Sequence, residues 1–260
     1  MNYQNITLDY DNRIAVLRVN RPKKLNALNR ETIQELHEAL IEIQDDDEVA
    51  VVILTGTGEK AFVAGADIAE FADYSVEEGQ DLAAKGQEIL FNVIENFSKP
   101  VIAAINGFAL GGGLELAMSA HFRTASTHAK MGLPETSLGV IPGYGGTQRL
   151  AQLVGKGKAM EMIMTAGMMN ADEGYRLGLV NHVFAPEDLL EETQKLATKI
   201  SKNSMVAIKA AIEAVNAGFS HDKDGYAAEI KAFGEAFGTE DFKEGTQAFL
   251  NKRKPDFPGQ

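Results

Sequence analysis

The 260 residues include no cysteine. That excludes thiolate chemistry, disulfides and cysteine-ligated zinc, and it accords with a cytoplasmic setting. Long apolar runs are missing too. No uninterrupted stretch approaches the ~20 residues of a membrane helix, and Met1-Asn2-Tyr3-Gln4-Asn5 is polar, without an apolar core of signal-peptide length. Basic residues are scarce: 25 Lys and Arg stand against 37 Asp and Glu, for a net charge of −12. Gripping phosphates needs a basic stripe, so neither nucleic acid nor membrane is expected as a partner. The five histidines (37, 121, 128, 182 and 221) do not pair at metal-ligand spacing, and no metal site is expected. No Gly-Lys-Ser/Thr closes a glycine-rich loop, and Gly107 lacks the second glycine of a dinucleotide fingerprint. Ser119, Ser126 and Ser137 have no nucleophile-elbow context.

What is present is a chain 45% hydrophobic, enough for one large domain or a domain with an appendage. Strands are expected at 14–19, 49–54, 101–105, 122–125 and 180–184. The 49–54 run is almost wholly apolar, as in a strand covered on both faces. Asn29 is placed to cap a helix from Arg30 to about Gln44, with Ile33, Leu36, Leu40 and Ile43 on one face. A further helix is expected from Val76 to about Phe97, another from the glycines at 111–113 to about Ala120, and shorter ones between Thr147 and Leu177. Beyond Pro186 the pattern is helical throughout, at 186–202, 204–217, 222–237 and 239–251. The chain therefore reads as α/β, with a core over 1–195 and a helical region over 196–260.

Two glutamates carry the chemical interest. Glu115 sits just inside the helix that follows Gly111-Gly112-Gly113, among Leu114, Leu116, Ala117 and Met118. A carboxylate in a helix's first turn is favoured by the dipole, so capping explains it; a carboxylate buried in so apolar a run needs a partner or a task. Glu135 follows Pro134 and precedes Leu138, Val140 and Ile141, which suits either a loop acid or a half-buried functional one. The triple glycine suits close strand–helix packing, and equally a backbone that approaches a ligand with bare N–H groups. Asp67, after Ala64-Gly65-Ala66, reads as a helix cap or as part of a ligand-facing turn.

Taken together, four segments resemble the enoyl-CoA hydratase, or crotonase, family: Arg21-Pro22-Lys23-Lys24-Leu25-Asn26-Ala27-Leu28; Ala61-Phe62-Val63-Ala64-Gly65-Ala66-Asp67-Ile68; Asn106-Gly107 through Leu116-Ala117; and Pro134-Glu135 with Gly139 through Leu150. Phe249 to Pro255 is similar as well, so the resemblance spans nearly the whole chain in order. It implies a ClpP-like spiral of ββα turns, a C-terminal helical trimerisation region, and a homohexamer built as a dimer of trimers. It implies an acyl-CoA thioester as substrate, with coenzyme A part of that substrate and no separate cofactor. The backbone N–H groups of Ala66 and Gly112 would form an oxyanion hole. Glu115 would activate a water and Glu135 would protonate C2, with Gly143 near the water. Lys23, Lys24, Leu25, Ala27, Ala64, Gly65, Asp67 and Ile68 would line the coenzyme A site, and Lys252 and Lys254 would reach a phosphate of that ligand. The implied activity is reversible hydration of a short or medium 2-enoyl-CoA to a 3-hydroxyacyl-CoA. The nearest alternative is isomerisation of a 3-enoyl-CoA, for which the second glutamate suffices. A remoter one is RNA binding through a lysine-bearing helix, here 186–202, whose Lys195, Lys199 and Lys202 are interleaved with acids. One departure stands out: many hydratases read Gly-Gln-Pro-Glu where this chain has Gly132-Leu133-Pro134-Glu135.

Overall fold

A computed structural model describes residues 3–260; Met1 and Asn2, the start of the polar opening segment, lie outside them. Ten strands are present among the described residues: β1 (Ile6–Asp11), β2 (Ile14–Val19), β3 (Val51–Gly56), β4 (Ala61–Val63), β5 (Val101–Ile105), β6 (Phe108–Leu110), β7 (Phe122–Ser126), β8 (Lys130–Gly132), β9 (Met168–Asn170) and β10 (His182–Phe184). They form a six-stranded sheet in the order β1-β2-β3-β5-β7-β10 and a four-stranded sheet in the order β4-β6-β8-β9. The helices are α1 (Arg30–Asp45), α2 (Val76–Gly86), α3 (Asn92–Glu95), α4 (Gly112–Ser119), α5 (Gly146–Val154), α6 (Lys156–Thr165), α7 (Ala171–Leu177), α8 (Leu189–Ile200), α9 (Met205–Ala217), α10 (Gly225–Ala236) and α11 (Glu240–Leu250).

The spiral comes from a repeated step. β3-β4-α2, β5-β6-α4 and β7-β8-α5 each put their first strand in the large sheet and their second in the small one. β3, β5 and β7 pair in parallel, as do β4, β6 and β8. Every step thus advances both sheets by one strand, which is the expected spiral of ββα turns. The central strands are apolar on both faces because both are covered. Val52, Leu54, Val101 and Ala103 face the larger core cluster. Their neighbours Val51, Ile53, Ile102 and Ala104 face Leu189 and Ala197 of α8.

α1 forms as its pattern dictates: Asn29 accepts a hydrogen bond from the Thr32 N–H at 2.9 Å, and Ile33, Leu36, Leu40 and Ile43 are buried. The helix expected over 76–97 is interrupted. Between α2 and α3 the segment Gln87–Phe91 makes a π turn, whose wider winding leaves both Leu90 and Phe91 wholly buried. The short strands β4, β6, β8 and β9 were not expected, because three residues carry too little alternation to register. The division expected at 195/196 falls inside α8, whose Ala197 still packs beneath the large sheet. Beyond it, α9 to α11 leave Tyr226, Ile230, Phe233, Phe249 and Leu250 largely exposed in the single chain. No helix among the described residues is long and apolar enough to cross a membrane.

Candidate active site

The spiral brings the ends of β4, β6 and β8 together, and the glycines of the third segment lie at that point. Each has its own reason to be glycine. Gly111 adopts φ +51°, ψ −125°, and a Cβ there would stand 2.8 Å from Glu135 Oε1. Gly113 packs α4 against β4 so closely that a Cβ would lie 1.9 Å from the Val63 carbonyl oxygen. Gly112 is different: a Cβ there would meet only ordinary contacts, 3.5 Å from Tyr144 Cδ2 and 3.8 Å from the Ala66 nitrogen. Packing thus accounts for one glycine and backbone conformation for another, while at the third a Cβ would fit without a clash.

Ala66 and Gly112 offer two neighbouring backbone donors. Leu28 pairs with Ala66 as an isolated parallel bridge. Its N–H donates to Gly65 O at 2.8 Å and its carbonyl accepts from the Asp67 N–H at 2.6 Å. That ladder uses the residues on either side of Ala66 and leaves its own N–H free of it. Gly112 opens α4, so its N–H has no intrahelical acceptor. At the other end of α4, the buried Arg123 donates to Ala120 O at 2.8 Å and to Leu179 O at 2.7 Å, close to the helix's last carbonyls. The dipole of α4 is therefore met by positive charge at its far end, while its first N–H groups have no partner within the helix.

Glu115 is 1% exposed. Its Oε1 accepts the backbone N–H of Tyr144 and that of Gly146, both at 2.7 Å. A Cβ on Gly146 would sit 2.8 Å from the same oxygen, so glycine is what lets the amide come that close. Oε2 makes no hydrogen bond to a protein group among the described residues. Burial pushes the Glu115 carboxyl up to about 7; the Gly146 N–H pulls it down, the charge of Glu135 pushes it up, and the Tyr144 N–H and Arg149 pull it down. Arg149 steadies this loop by donating to Tyr144 O at 2.8 Å while it pairs with Glu95 at 2.7 Å. Glu135 opens a single 3-10 turn after Pro134. Its Oε2 is buried with no hydrogen-bond partner, and burial raises its carboxyl above the ordinary value of 4.5. Glu135 is near enough for its charge to raise the Glu115 carboxyl.

Lys23 to Leu28 and Ala64 to Ile68 run side by side. Besides the Leu28–Ala66 bridge, the Ala64 N–H donates to Leu25 O at 3.1 Å. Buried Asn26 ties the first segment down, donating to Thr57 O at 3.0 Å and to Ala61 O at 2.8 Å. Lys23, Lys24, Leu25 and Ile68 are exposed, and Ala27, Ala64 and Gly65 partly so. Asp67 stands at the N-cap position of the 3-10 turn Ile68–Glu70, but its side chain makes no cap bond and pairs with Arg21 at 3.1 Å. Gly143 accepts from Gln87 Nε2 at 2.7 Å and directly precedes Tyr144. Lys252 and Lys254 are exposed beyond α11, where Arg253 pairs with Glu244. Leu133, the departure from the resembled motif, is wholly buried in the core. The α8 lysine Lys195 is engaged with Glu191 and Glu192, each at 2.7 Å, so no basic stripe forms there. No group of three or more His, Asp or Glu side chains is disposed to hold a metal among the described residues.

Tyr144 and Arg149 were legible only as parts of a motif; that they cradle Glu115 depends on a contact across 29 residues. Comparisons with known proteins agree along the whole chain. Residues 9–260 match the family described as Enoyl-CoA hydratase/isomerase. A crotonyl-CoA hydratase of Syntrophomonas wolfei is 49% identical over 258 residues, covering 99% of each chain. A short-chain-enoyl-CoA hydratase of Clostridium acetobutylicum is 49% identical over 255 residues, covering 98% of this chain and 97% of that one. The crystal structure of an enoyl-CoA hydratase from Bacillus anthracis superposes with a TM-score of 0.93 at 40% identity, covering 99% of this chain and all of that one.

Proposed function

The chain belongs to the enoyl-CoA hydratase/isomerase family, and on that premise we propose that it hydrates short- or medium-chain 2-enoyl-CoA thioesters to 3-hydroxyacyl-CoA, reversibly. The observation that carries this reading is the cradled Glu115 opposite Glu135, beside two unengaged amides.

In the forward direction the thioester oxygen accepts from the Ala66 and Gly112 N–H groups. Water held on Glu115 Oε2 attacks C3 while the carboxylate takes its proton. The C2–C3 π electrons move toward the thioester and place enolate charge on that oxygen. Aimed donors oppose this charge better than they oppose the ground-state carbonyl, and one such donor is worth about 10²–10³ in rate in acyl-transfer enzymes. C2 then takes the proton of Glu135. The two amides on Glu115 Oε1 oppose the burial that raises its carboxyl, whereas Glu135 Oε2 has no donor; on that difference we assign Glu115 as base and Glu135 as acid. A thioester lying over Glu135 removes the water on its exposed side and raises its carboxyl further. This chemistry calls on no metal or separate cofactor. Segments 23–28 and 64–68 would hold coenzyme A, with Lys252 and Lys254 reaching a phosphate, and Gly143 would stand near the water. A homohexamer made of two trimers would cover the exposed aromatic and aliphatic side chains of α10 and α11, and the resemblance implies a cytoplasmic enzyme.

Isomerisation of a 3-enoyl-CoA needs one acid to move a proton; the investment of two amides and Gly146 in Glu115 favours hydration. The test is the loss of enoyl absorbance when purified protein meets crotonyl-CoA and longer 2-enoyl-CoAs, with a 3-enoyl-CoA run alongside. No loss at any chain length would end the hydratase reading, and a rise with the 3-enoyl substrate alone would establish the isomerase.

A further inference from the structure

We propose that the Tyr144 ring sets the acyl-chain limit, closing the space beyond C3 so that only short 2-enoyl chains fit. The inference rests on the hydratase reading and specifies its substrate.

The ring stands where the chain must end. With C1 at Ala66 and Gly112 and C3 beside Glu115, the following carbons leave toward the residue whose amide holds Glu115. That residue is Tyr144, with 2.7 Å between its nitrogen and Oε1. One edge of its ring faces the donor glycine, Cδ2 being 3.5 Å from a Cβ placed on Gly112. The opposite edge abuts α2, where a Cβ on Gly86 would come within 2.4 Å of Cε1. One face stacks on Phe91 with centroids 4.6 Å apart and planes 13° from parallel. Phe91 is wholly buried and Tyr144 is 7% exposed, so the ring has no room to swing aside.

Beyond the ring lies unused space. A cavity of about 580 Å³ is lined by Tyr144 with the apolar Ile33, Leu82 and Ile89, and also by charged side chains of α1 and α2, among them Arg30 and Asp81. Tyr144 is thus a partition: the thioester end is on one side, and a partly apolar cavity large enough for more chain is on the other. Gly86 lets the partition stand upright, since any side chain there would collide with it.

The experiment compares kcat/KM for C4, C8 and C12 2-enoyl-CoAs. Wild type is expected to lose efficiency steeply with length. Tyr144→Ala should raise the C12:C4 ratio at least about tenfold, because a closed apolar pocket discriminates about 10–200-fold for one methylene. Tyr144→Phe should keep the wild-type ratio, since the ring and not the hydroxyl is the wall. Adding Leu82→Trp to Tyr144→Ala should cancel the gain by refilling the cavity. Tyr144→Leu, which keeps an apolar contact on Phe91, carries the same comparison if the alanine variant does not fold. A wild type that hydrates C12 as well as C4, or truncated variants with an unchanged ratio, would overturn the proposal and leave the hydratase reading standing. Inactivity of wild type on every chain defeats the hydratase reading itself.

Discussion

Replacing Glu115 with glutamine should slow the enzyme and stabilise the fold together. Glutamine keeps the size of the side chain and an Oε1 that can still accept from Tyr144 and Gly146, so the loop has no cause to rearrange. It removes a carboxylate whose pKa burial raises from 4.5 to about 7. A raised acid binds its proton more tightly in the folded chain than in the unfolded one. Its penalty on stability is therefore absent below pH 4.5, grows between 4.5 and 7, and is complete above 7. At about 1.4 kcal/mol per pH unit, that penalty reaches about 3 kcal/mol. Glu115→Gln should then melt higher than wild type by up to roughly 6 °C at pH 8, at about 2 °C per kcal/mol for a chain of this size. The two proteins should melt alike at pH 4. Loss of the base should cost about 10²–10⁴ in kcat on crotonyl-CoA. In wild type, kcat/KM should fall about tenfold per pH unit below about 7, as the base of the free enzyme takes up its proton. Melting curves at pH 4 and pH 8, read beside the rates, decide the matter. A variant no more stable than wild type at pH 8 refutes the desolvation argument, and a variant with full activity refutes the role as base.

Gly112→Pro deletes one backbone N–H at a helix position that tolerates proline, so kcat should fall about 10²–10³ with the circular dichroism spectrum unchanged; an undiminished rate would remove this amide from the oxyanion hole. Glu135→Gln should lower hydration of crotonyl-CoA by about 10²–10⁴ and slow solvent deuterium entry at C2 in parallel; exchange at the wild-type rate would assign that proton elsewhere. Arg123→Leu strips donors from the buried carbonyls of Ala120 and Leu179 and should cost about 2–4 kcal/mol in a denaturant titration, whereas a loss under 1 kcal/mol would show that those carbonyls find other partners.

What was legible in the sequence was local or apolar. Asn29 with its one-sided helix, and the covered strands at 101–105 and near 49–54, follow from spacing that neighbours in the chain impose. The second sheet was not legible, because Ala61–Val63, Phe108–Leu110, Lys130–Gly132 and Met168–Asn170 become strands only when the spiral lays them side by side. The glutamates could be named from their surroundings, and the family resemblance supplied their roles. The contacts that tune Glu115 arrive from Tyr144 and Gly146, on a different element, and no periodicity announces them. The position of the Tyr144 ring depends jointly on Gly86, Phe91 and Gly112, which lie on three separate elements.

The cradle of Glu115 also bears on how such a site withstands mutation. Both donors on Oε1 belong to the main chain, at Tyr144 and Gly146. Ordinary side-chain replacement at position 144 leaves its amide in place; only proline deletes it. At position 146 any side chain intrudes on Oε1. Residue 144 can therefore change its side chain without losing this hydrogen bond, while residue 146 is held to glycine. A lineage under selection for a different substrate has a dial one residue wide, set against a carboxylate environment that random substitution seldom reaches.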